Sequence, residues 1–319
     1  MSPLLSICVP TYNQADRVEL FLESILTTVR DRFEILICDD SQSDATTYVV
    51  RKYKEKLPIK YWRRTESRGV DSALLSLLDV ARGEYVWWFG DDILNPGAVD
   101  HLTQFIESTP GLAFIWLNSE DETDSASKTF GMEKTRMFCS RNELLNYDIG
   151  LLGFITATIF KRILAADAIK GAERYVGTSF VSLYIILSVL KGEGSCAMVG
   201  ESCFRSKPKP SGEIRWYNQI EVFGINLYII CKANGGAFSQ IALNKALTRN
   251  MVRVLKSMLV ERALGYKTGF ANTDLKMRKL VKIYWSNPRF WFYFIPLALP
   301  RCVLGSLYRI FTTFKRAAT

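Results

Sequence analysis

The chain has 319 residues, of which 48% are hydrophobic and 23% are charged, values typical of a folded globular protein and not of a disordered one. Its seven cysteines are an odd number and form no CxxC or Cys/His cluster, which excludes the pattern of a disulfide framework or a structural zinc site. This cysteine usage fits a reducing cytosol, and the opening residues do not resemble a signal peptide.

The net charge of +9 is unevenly distributed along the chain. From Lys245 to the C-terminus there are 15 basic and 2 acidic residues, a charge of +13, whereas the remaining 26 basic and 30 acidic residues give −4. We therefore predict an ordinary, slightly acidic domain over residues 1–213 and a basic helical region over residues 214–319. No helix-turn-helix, zinc finger or RNP-like motif accompanies the positive charge, so we expect no nucleic acid partner.

Strand and helix patterns alternate in the first 120 residues. Short apolar runs predict five strands, at Leu4–Val9, Phe33–Cys38, Ile59–Trp62, Glu84–Phe89 and Leu112–Leu117. Apolar residues at helical spacing follow each of the first four strands. This alternation predicts an α/β fold with a mostly parallel, Rossmann-like sheet covered by helices. Right-handed crossovers would then bring the loops after strands one, two and four to one edge of the sheet.

These three loops are all polar. They contain residues 11–13, the pair Asp39 and Asp40, and the pair Asp91 and Asp92 in the segment GEYVWWFGDDILNP. Adjacent carboxylates repel each other unless a cation lies beside them, and a divalent metal that carries a nucleotide diphosphate would meet this need. The alternative is a pair that caps the helix starting near Pro96, although the convergence of three polar loops weakens that reading.

The loop after the first strand, PTYNQAD, has no GxGxxG motif, and no Walker P-loop is found elsewhere in the sequence. A glycine-rich phosphate cradle is therefore not expected. Metal and basic side chains would have to bind the phosphates instead.

The segments SICVPTYN, FEILICDDSQSD and ARGEYVWWFGDDILNPGAV occur in this order and resemble the family 2 glycosyltransferases of GT-A fold. Within that family, the WxxGDD strand end resembles the abequosyltransferase-like branch. The resemblance covers roughly residues 4–205. It implies a nucleotide-sugar donor, a divalent metal such as Mg²⁺ or Mn²⁺, and transfer of a glycosyl group to a hydroxyl with inversion at the anomeric carbon.

The resemblance also implies which residues bind the nucleoside. The nucleoside pocket would be lined by three residues that follow the first predicted strand, Pro10, Thr11 and Tyr12. Asp39, or its neighbour Asp40, would hydrogen-bond the base.

The same resemblance assigns the residues around the sugar and the diphosphate. Asp91 would approach the ribose, and Asp92 would ligate the metal that bridges the two phosphates. Arg68 corresponds to a donor-facing segment and Arg205 to the end of a strand near the diphosphate, although a surface role is an alternative for both. The family's usual DxD pattern has an acid where this chain has Phe89, which weakens the ligand assignment.

The general base is missing from its usual place. In the family it belongs to an acidic pair at the start of a helix that corresponds here to residues 182–191, but the matching residues are Phe180 and Val181. Glu173 is the nearest upstream carboxylate and is our candidate base. The acidic loop SEDETD, residues 119–124, is a second source of carboxylates. The missing acid also leaves open a non-catalytic, membrane-bound relative that binds a nucleotide sugar.

The C-terminal region contains two further features. The segment KPKPSGE, residues 207–213, suggests a mobile lid over the donor or a simple linker. The run FWFYFIPLALP, residues 290–300, would span only about 16 Å as a helix, about half of the ~30 Å hydrocarbon core, so it does not predict a transmembrane helix.

Pro300 can begin a last helix in which apolar and basic residues lie on different faces. The apolar residues of that helix are Val303, Leu304, Leu307, Phe311 and Phe314, and the basic ones are Arg309 and Arg316. This pattern predicts an interfacial anchor on an anionic membrane; the alternative is a helix packed on the catalytic domain.

Together these features predict a cytoplasmic enzyme that is peripheral on the inner face of the cell membrane. We expect it to transfer a hexosyl or deoxyhexosyl group to a lipid-linked oligosaccharide in surface polysaccharide synthesis of the O-antigen or capsule type.

Overall fold

The computed structural model describes residues 2–28, 32–122, 134–206, 218–265 and 273–317. The chain divides into two compact units. The first unit comprises Met1–Tyr147, Leu151–Pro208 and Asn234–Phe238, and the second comprises Asp148–Gly150, Lys209–Ala233 and Ser239–Thr319. The domain boundary that we predicted between residues 213 and 214, and the segment KPKPSGE, lie outside the described residues.

One sheet of nine strands forms the centre of the first unit, counted over the described residues. Its strands are β1 (Leu5–Thr11), β2 (Phe33–Asp39), β3 (Ile59–Arg63), β4 (Tyr85–Trp88), β5 (Ile93–Leu94), β6 (Leu112–Asp121), β7 (Arg136–Phe138), β8 (Thr158–Lys161) and β9 (Ser195–Ser206). They lie in the order β3-β2-β1-β4-β8-β6-β9-β5, and β7 pairs with β9.

The half of the sheet that contains β1 to β4 is parallel, with β1 between β2 and β4 and β3 outside β2. These central strands are covered on both faces, which is why β1, β2 and β4 have almost continuous apolar sequences. The predicted α/β architecture is therefore confirmed. The sequence did not indicate β8, which is only four residues long and lies antiparallel between β4 and β6.

The helices of the first unit are α1 (Ala15–Ser24), α2 (Ala45–Tyr53), α3 (Gly69–Val80), α4 (Ala98–Ser108), α5 (Ile169–Ala172) and α6 (Val181–Val189). Each of the first three begins shortly after the carboxyl end of a strand, at the edge where the polar loops leave the sheet. In α3 and α6 the buried side chains are mostly leucine, isoleucine and valine, and their burial fixes both helices in the core.

The second unit is helical over its described residues. A π-helix (Ile220–Asn226) runs directly into α7 (Leu227–Asn234), and these are followed by α8 (Gln240–Leu264), α9 (Thr273–Tyr284), α10 (Pro288–Phe294) and α11 (Arg301–Ala317). Their shared core includes Met251, Leu255, Leu280, Tyr284 and Phe290. A basic, helical C-terminal region thus has an apolar core of its own.

In the part of the chain that the structure describes, no single helix has the length and apolar character needed to cross a membrane. Pro288–Ala298 and Arg301–Arg309 meet that criterion only when they are taken together, and they are bent by 113° relative to each other.

Candidate functional site

The polar loops after β1, β2 and β4 leave the sheet at the same edge, as their order in the chain predicts. Thr11 lies opposite Asp39 in the parallel register of β1 and β2, and the backbone N–H of Asp40 donates to the Thr11 carbonyl at 2.9 Å. On the other side of β1, the N–H of Phe89 donates to the Cys8 carbonyl at 2.9 Å. The three loops therefore share one rim, which we call the donor edge.

The first two loops of the donor edge are hydrogen-bonded to each other. The N–H of Asn13 donates to Ser41 Oγ at 2.8 Å, and the N–H of Gln42 donates to Asn13 Oδ1 at 3.2 Å. Asn13 has a φ of 53°, a left-handed conformation that asparagine adopts more readily than most residues. These contacts hold the loop after β1 against the loop after β2.

The three predicted nucleoside-pocket residues differ in exposure. Pro10 is half-buried, Thr11 is buried, and Tyr12 is exposed. The Thr11 hydroxyl is buried without a hydrogen-bond partner among the described residues. Since a buried hydroxyl without a partner is costly, this group is available to a ligand at the donor edge.

Asp39 is fully buried at the end of β2, and both of its carboxylate oxygens accept hydrogen bonds. Oδ1 accepts from the N–H of Ser41 at 2.8 Å, and Oδ2 accepts from the Tyr61 hydroxyl at 2.8 Å. Burial raises the pKa of Tyr61 to about 12, so its hydroxyl keeps the proton that it donates. Tyr61 thereby fixes the position of the Asp39 carboxylate.

Asp40 is buried next to Asp39 but is held by the loop after β3. It forms an ion pair with Arg64, whose Nη2 lies 2.7 Å from Asp40 Oδ2. The same oxygen accepts from Ser67 Oγ at 3.3 Å and from the backbone N–H of Arg68 at 2.9 Å. Arg68 thus contributes its backbone here, while its side chain is exposed.

Asp91 and Asp92 follow β4 at the third loop. Asp92 is 5% exposed, and Asp91 Oδ2 accepts a long hydrogen bond of 3.4 Å from Gln14 Nε2. The preceding Gly90 donates its N–H to Thr156 Oγ1 at 3.0 Å, and a Cβ at Gly90 would lie only 3.2 Å from that same oxygen. The absence of a side chain at Gly90 therefore lets the GDD turn pack directly on Thr156.

Arg205 lies on β9 next to this turn. It stands opposite Ile93, the residue after Asp92, in the antiparallel pairing of β5 with β9, and on its other side it stands opposite Glu120 of β6. Neighbouring strands are about 4.8 Å apart, so the structure brings Arg205 close to the strand end that carries the two acids.

The residues at the GDD turn fit a divalent metal that a ligand helps to coordinate. Among the described residues there is no cluster of three or more His, Cys, Asp or Glu that would hold a metal without help. Mg²⁺ in nucleotide sites commonly has one or two carboxylate ligands and takes its others from phosphates and water. Asp92, with Asp91 beside it, matches this type of donor set.

The motif resemblance agrees with the comparisons with known proteins. The family described as "Glycosyl transferase family 2" matches residues 6–164, which include β2, the GDD turn and all of β1 except Leu5. The chain belongs to glycosyl transferase family 2.

Two curated relatives illustrate this membership. The chain is 24% identical to "Abequosyltransferase RfbV" of Salmonella typhimurium over 300 residues, which are 86% of this chain and 81% of the relative. It is also 30% identical to "GalNAc(5)-diNAcBac-PP-undecaprenol beta-1,3-glucosyltransferase" of Campylobacter jejuni. That match extends over 191 residues, which are 57% of this chain and 60% of the relative.

Among solved structures, S. aureus TarS 1-349 in complex with UDP superposes with a TM-score of 0.66 and 18% identity. The match covers 89% of this chain and 81% of the TarS chain. The predicted GT-A fold of this family 2 glycosyltransferase is thus confirmed.

At the start of α6, where the resemblance suggested a base, the structure shows a loop fastened by a carboxylate from elsewhere. Asp71, in the first turn of α3, accepts hydrogen bonds from the N–H groups of Gly177 at 2.9 Å, Ser179 at 2.8 Å and Val181 at 3.2 Å. Ser179 has a φ of 61°, an uncommon conformation for serine that these bonds help to hold. We call residues 177–181 the α6 loop.

The α6 loop is connected to the GDD turn through one short segment. The ring of Phe180, in the loop, packs directly over Gly153, and Ser182 Oγ, in the first turn of α6, donates to the Gly153 carbonyl at 2.7 Å. Three residues later in the same segment, Thr156 accepts from Gly90. The α6 loop is therefore tied to the rim that contains Asp91 and Asp92.

Asp71 is 4% exposed, and burial raises the pKa of its carboxyl although the three N–H donors act in the opposite direction. Sequence reasoning missed this residue, yet the pattern contained a signal. Asp71 is spaced three, four and seven residues from Leu74, Leu75 and Leu78, which places an acid on the buried face of α3. An acid on such a face requires partners from another element.

The carboxylates that we considered as bases lie in different surroundings. Glu173 is exposed, in a 3-10 turn (Glu173–Tyr175) that precedes the α6 loop. Glu122, just after β6, is paired with Arg17 of α1 at 3.0 Å. Asp124 of the same acidic loop lies outside the described residues.

Proposed function

We propose that this chain transfers a sugar from a nucleotide-sugar donor to a hydroxyl of a lipid-linked oligosaccharide, with a divalent metal and with inversion at the anomeric carbon. The observation that supports this proposal most strongly is the common edge of the three polar loops. In this family 2 fold, that edge brings Asp39 and Asp40 to the same rim of the sheet as the GDD turn.

On the donor side, Pro10, Thr11 and Tyr12 would line the nucleoside pocket, with the unpaired Thr11 hydroxyl as a hydrogen-bonding group. We assign Asp39 to hydrogen-bond the nucleotide base. Tyr61 and Ser41 hold its carboxylate in position at the end of β2.

Asp40 and Arg68 then act indirectly in this proposal. The Asp40 carboxylate joins the loops after β2 and β3 by accepting from Arg64, Ser67 and the Arg68 backbone. These contacts shape the wall behind the nucleoside and leave the Arg68 side chain exposed.

On the phosphate side, we assign Asp91 to the ribose and Asp92 to the metal, which would be Mg²⁺ or Mn²⁺. When bound, the metal would act as a Lewis acid for the negative charge on the leaving diphosphate. Arg205 stands beside this turn and adds a positive charge near the same phosphates. Gly90 and Thr156 keep the turn in place through their direct hydrogen bond.

For the acceptor, a carboxylate should remove the hydroxyl proton as the oxygen attacks the sugar, and general bases of this kind contribute roughly 10²- to 10⁴-fold. Glu173 remains our proposed base, because it is exposed and lies four residues before the first residue of the α6 loop. Asp71 is not assigned to this role since it is buried and its oxygens accept from three backbone N–H groups.

We further propose that the acceptor belongs to surface polysaccharide synthesis and that the enzyme acts in the cytoplasm at the inner face of the membrane. The support is the name of the Campylobacter jejuni relative, which specifies an undecaprenol diphosphate acceptor, and the basic C-terminal region of this chain.

Calorimetry with UDP and GDP, each with and without Mn²⁺, tests the donor and metal assignments. We expect Asp92→Asn to abolish the part of nucleotide binding that depends on Mn²⁺. Asp79→Asn is the matched control, since Asp79 is an exposed acid near the end of α3. Unchanged Mn²⁺-dependent affinity in Asp92→Asn would refute the metal assignment.

A non-catalytic nucleotide-sugar-binding relative is the second candidate. One specific observation favours it. The α6 loop contains no acid of its own, and the carboxylate of Asp71, which lies against it, accepts hydrogen bonds from the backbone N–H groups of the loop. Screening nucleotide sugars by thermal shift and then following transfer to a membrane extract separates the two. Binding without hydrolysis or transfer of any donor would support the second candidate.

A further inference from the structure

Apolar side chains are exposed along the last helices of the second unit. Phe292 is 74% exposed and Ile295 is 61% exposed, and they lie three residues apart on the same face of consecutive helical turns. On α11, Val303 and Leu307 are also exposed, one helical turn apart, and Leu299 is exposed between the two helices. We call these five residues the C-terminal apolar surface.

The opposite faces of the same helices are buried in the core of the second unit. Phe290 and Leu297 belong to its core cluster, and Leu304 of α11 is also buried. The close approach of α11 to α8 leaves little room at Gly305, where a Cβ would lie 3.2 Å from the Ala263 carbonyl. The core therefore fixes which side chains are exposed. The sequence had placed Leu304 on the exposed apolar face, which the structure corrects; the side chains of Phe311 and Phe314 lie outside the described part of the chain.

The residues around this surface are basic. Between Trp285 and Arg309 the sequence contains three arginines and no acidic residue. Arg289 and Arg309 are exposed, on α10 and α11 respectively, and Trp285 is exposed at the end of α9. An apolar surface whose own stretch of sequence contains arginine and tryptophan but no acid is complementary to the headgroup region of an anionic bilayer.

The bend between the two helices favours binding along the membrane surface. Pro288–Ala298 and Arg301–Arg309 are bent by 113°, and a helix over residues 288–298 is only about 16 Å long against a ~30 Å hydrocarbon core. Neither helix by itself has the length and apolar character needed to span a bilayer, whereas exposed side chains of both can insert into its interface.

We propose that the C-terminal apolar surface binds an anionic lipid bilayer, with Phe292 and Ile295 inserted among the acyl chains and Arg289 and Arg309 at the phosphates. This inference deepens the proposed action on a lipid-linked acceptor, and it rests on that function only for the choice of membrane. Lipid binding itself needs neither donor nor catalysis, so it can be tested even if the assigned reaction is wrong.

The test is co-sedimentation of the full chain with vesicles of phosphatidylglycerol and phosphatidylcholine in equal parts, compared with vesicles of phosphatidylcholine alone. We expect strong binding to the anionic vesicles that weakens as salt is added. Phe292→Ser with Ile295→Ser should lower the partition coefficient on the order of a hundredfold. Arg289→Gln and Arg309→Gln should each lower it about fivefold.

The matched control is Ile163→Ser, because Ile163 is 64% exposed but belongs to the first unit. Point substitutions are preferred to deletion of the segment, since deletion would also remove Phe290 and Leu297 from the core. Equal binding by the Phe292/Ile295 variant and the wild type would overturn the proposal. So would a dimer in lipid-free sedimentation that Phe292→Ser dissociates, since a second copy would then cover this surface. Nucleotide binding, measured on the same samples, reports on the donor site independently.

Discussion

Asp40 and Asp71 are both almost completely buried near the N-terminal end of α3, but they are held by different kinds of partner. Asp40, at the donor edge, faces the guanidinium of Arg64, a full positive charge. Asp71, at the α6 loop, faces the N–H groups of Gly177, Ser179 and Val181. One acid joins two loops by an ion pair, and the other shapes a loop by backbone dipoles.

This difference shows how the fold treats the two sides of the site. At the donor edge, the positive charge of Arg64 offsets the negative charge of Asp40 and so reduces its repulsion of the neighbouring Asp39. Backbone N–H groups compensate burial less fully at Asp71, whose pKa is raised, and they fix the conformation of the loop instead. Three substitutions test this contrast, in order of decreasing expected effect.

Removing the charge at Asp40's partner should have the largest effect on stability. Arg64→Ala leaves a buried carboxylate without its cation, and loss of one partner of a buried pair costs about 3–5 kcal/mol. Equilibrium urea unfolding of the full chain measures this loss in the free energy of unfolding. Arg32→Ala, which breaks the partly exposed pair with Glu107, is the control and should cost about 0–1 kcal/mol. Equal losses in the two variants would mean that Asp40 does not need its charged partner.

Asp71→Asn should destabilise the protein by about 1–3 kcal/mol at neutral pH, because an amide cannot accept from all three N–H groups. The effect should depend on pH. Since the pKa of Asp71 is raised by folding, the folded state takes up a proton before the unfolded chain does. The wild type therefore gains stability relative to the variant on acidification toward the ordinary Asp value of about 3.9, and loses that gain as pH rises through the raised pKa.

Urea unfolding of wild type and Asp71→Asn at matched pH values measures this difference. Amide hydrogen exchange at residues 177–181 should also be faster in the variant, because the bonds to Asp71 hold the α6 loop. If the stability difference shrinks on acidification, the direction of the pKa shift is wrong; if exchange is unchanged, Asp71 does not fix the loop.

Tyr61→Phe should have the smallest effect of the three. It removes the hydroxyl that donates to Asp39 at 2.8 Å but leaves the Ser41 donor, so we expect a loss of about 0.5–1.5 kcal/mol in the same unfolding assay. Tyr48→Phe is the control, since Tyr48 is exposed and should change stability little. A similar loss in both variants would show that Tyr61 adds nothing at Asp39 beyond its packing.

Much of the donor edge was predictable from the sequence. The apolar runs of β1, β2 and β4 are continuous because these strands are buried on both faces, and right-handed crossovers leave one edge for their loops. The positions of the GDD turn and of the acids at the end of β2 follow from this arrangement of strands. The family membership was predictable from the order of the three motifs along the chain. Their roles in donor and metal binding remain predictions.

The partners of those acids were decided by the tertiary structure. Arg64 reaches Asp40 and Asp71 reaches the α6 loop across 24 and more than 100 residues of sequence, and hydrogen bonds at such separations have no local periodicity that would indicate them. In the last helices the sequence likewise specified amphipathic character, but the burial of Phe290, Leu297 and Leu304 in the core determined which apolar side chains are left exposed. Local sequence patterns indicate whether a segment forms a strand or an amphipathic helix. Which buried charges pair, and which face of a helix stays exposed, depends on the other segments that pack against it.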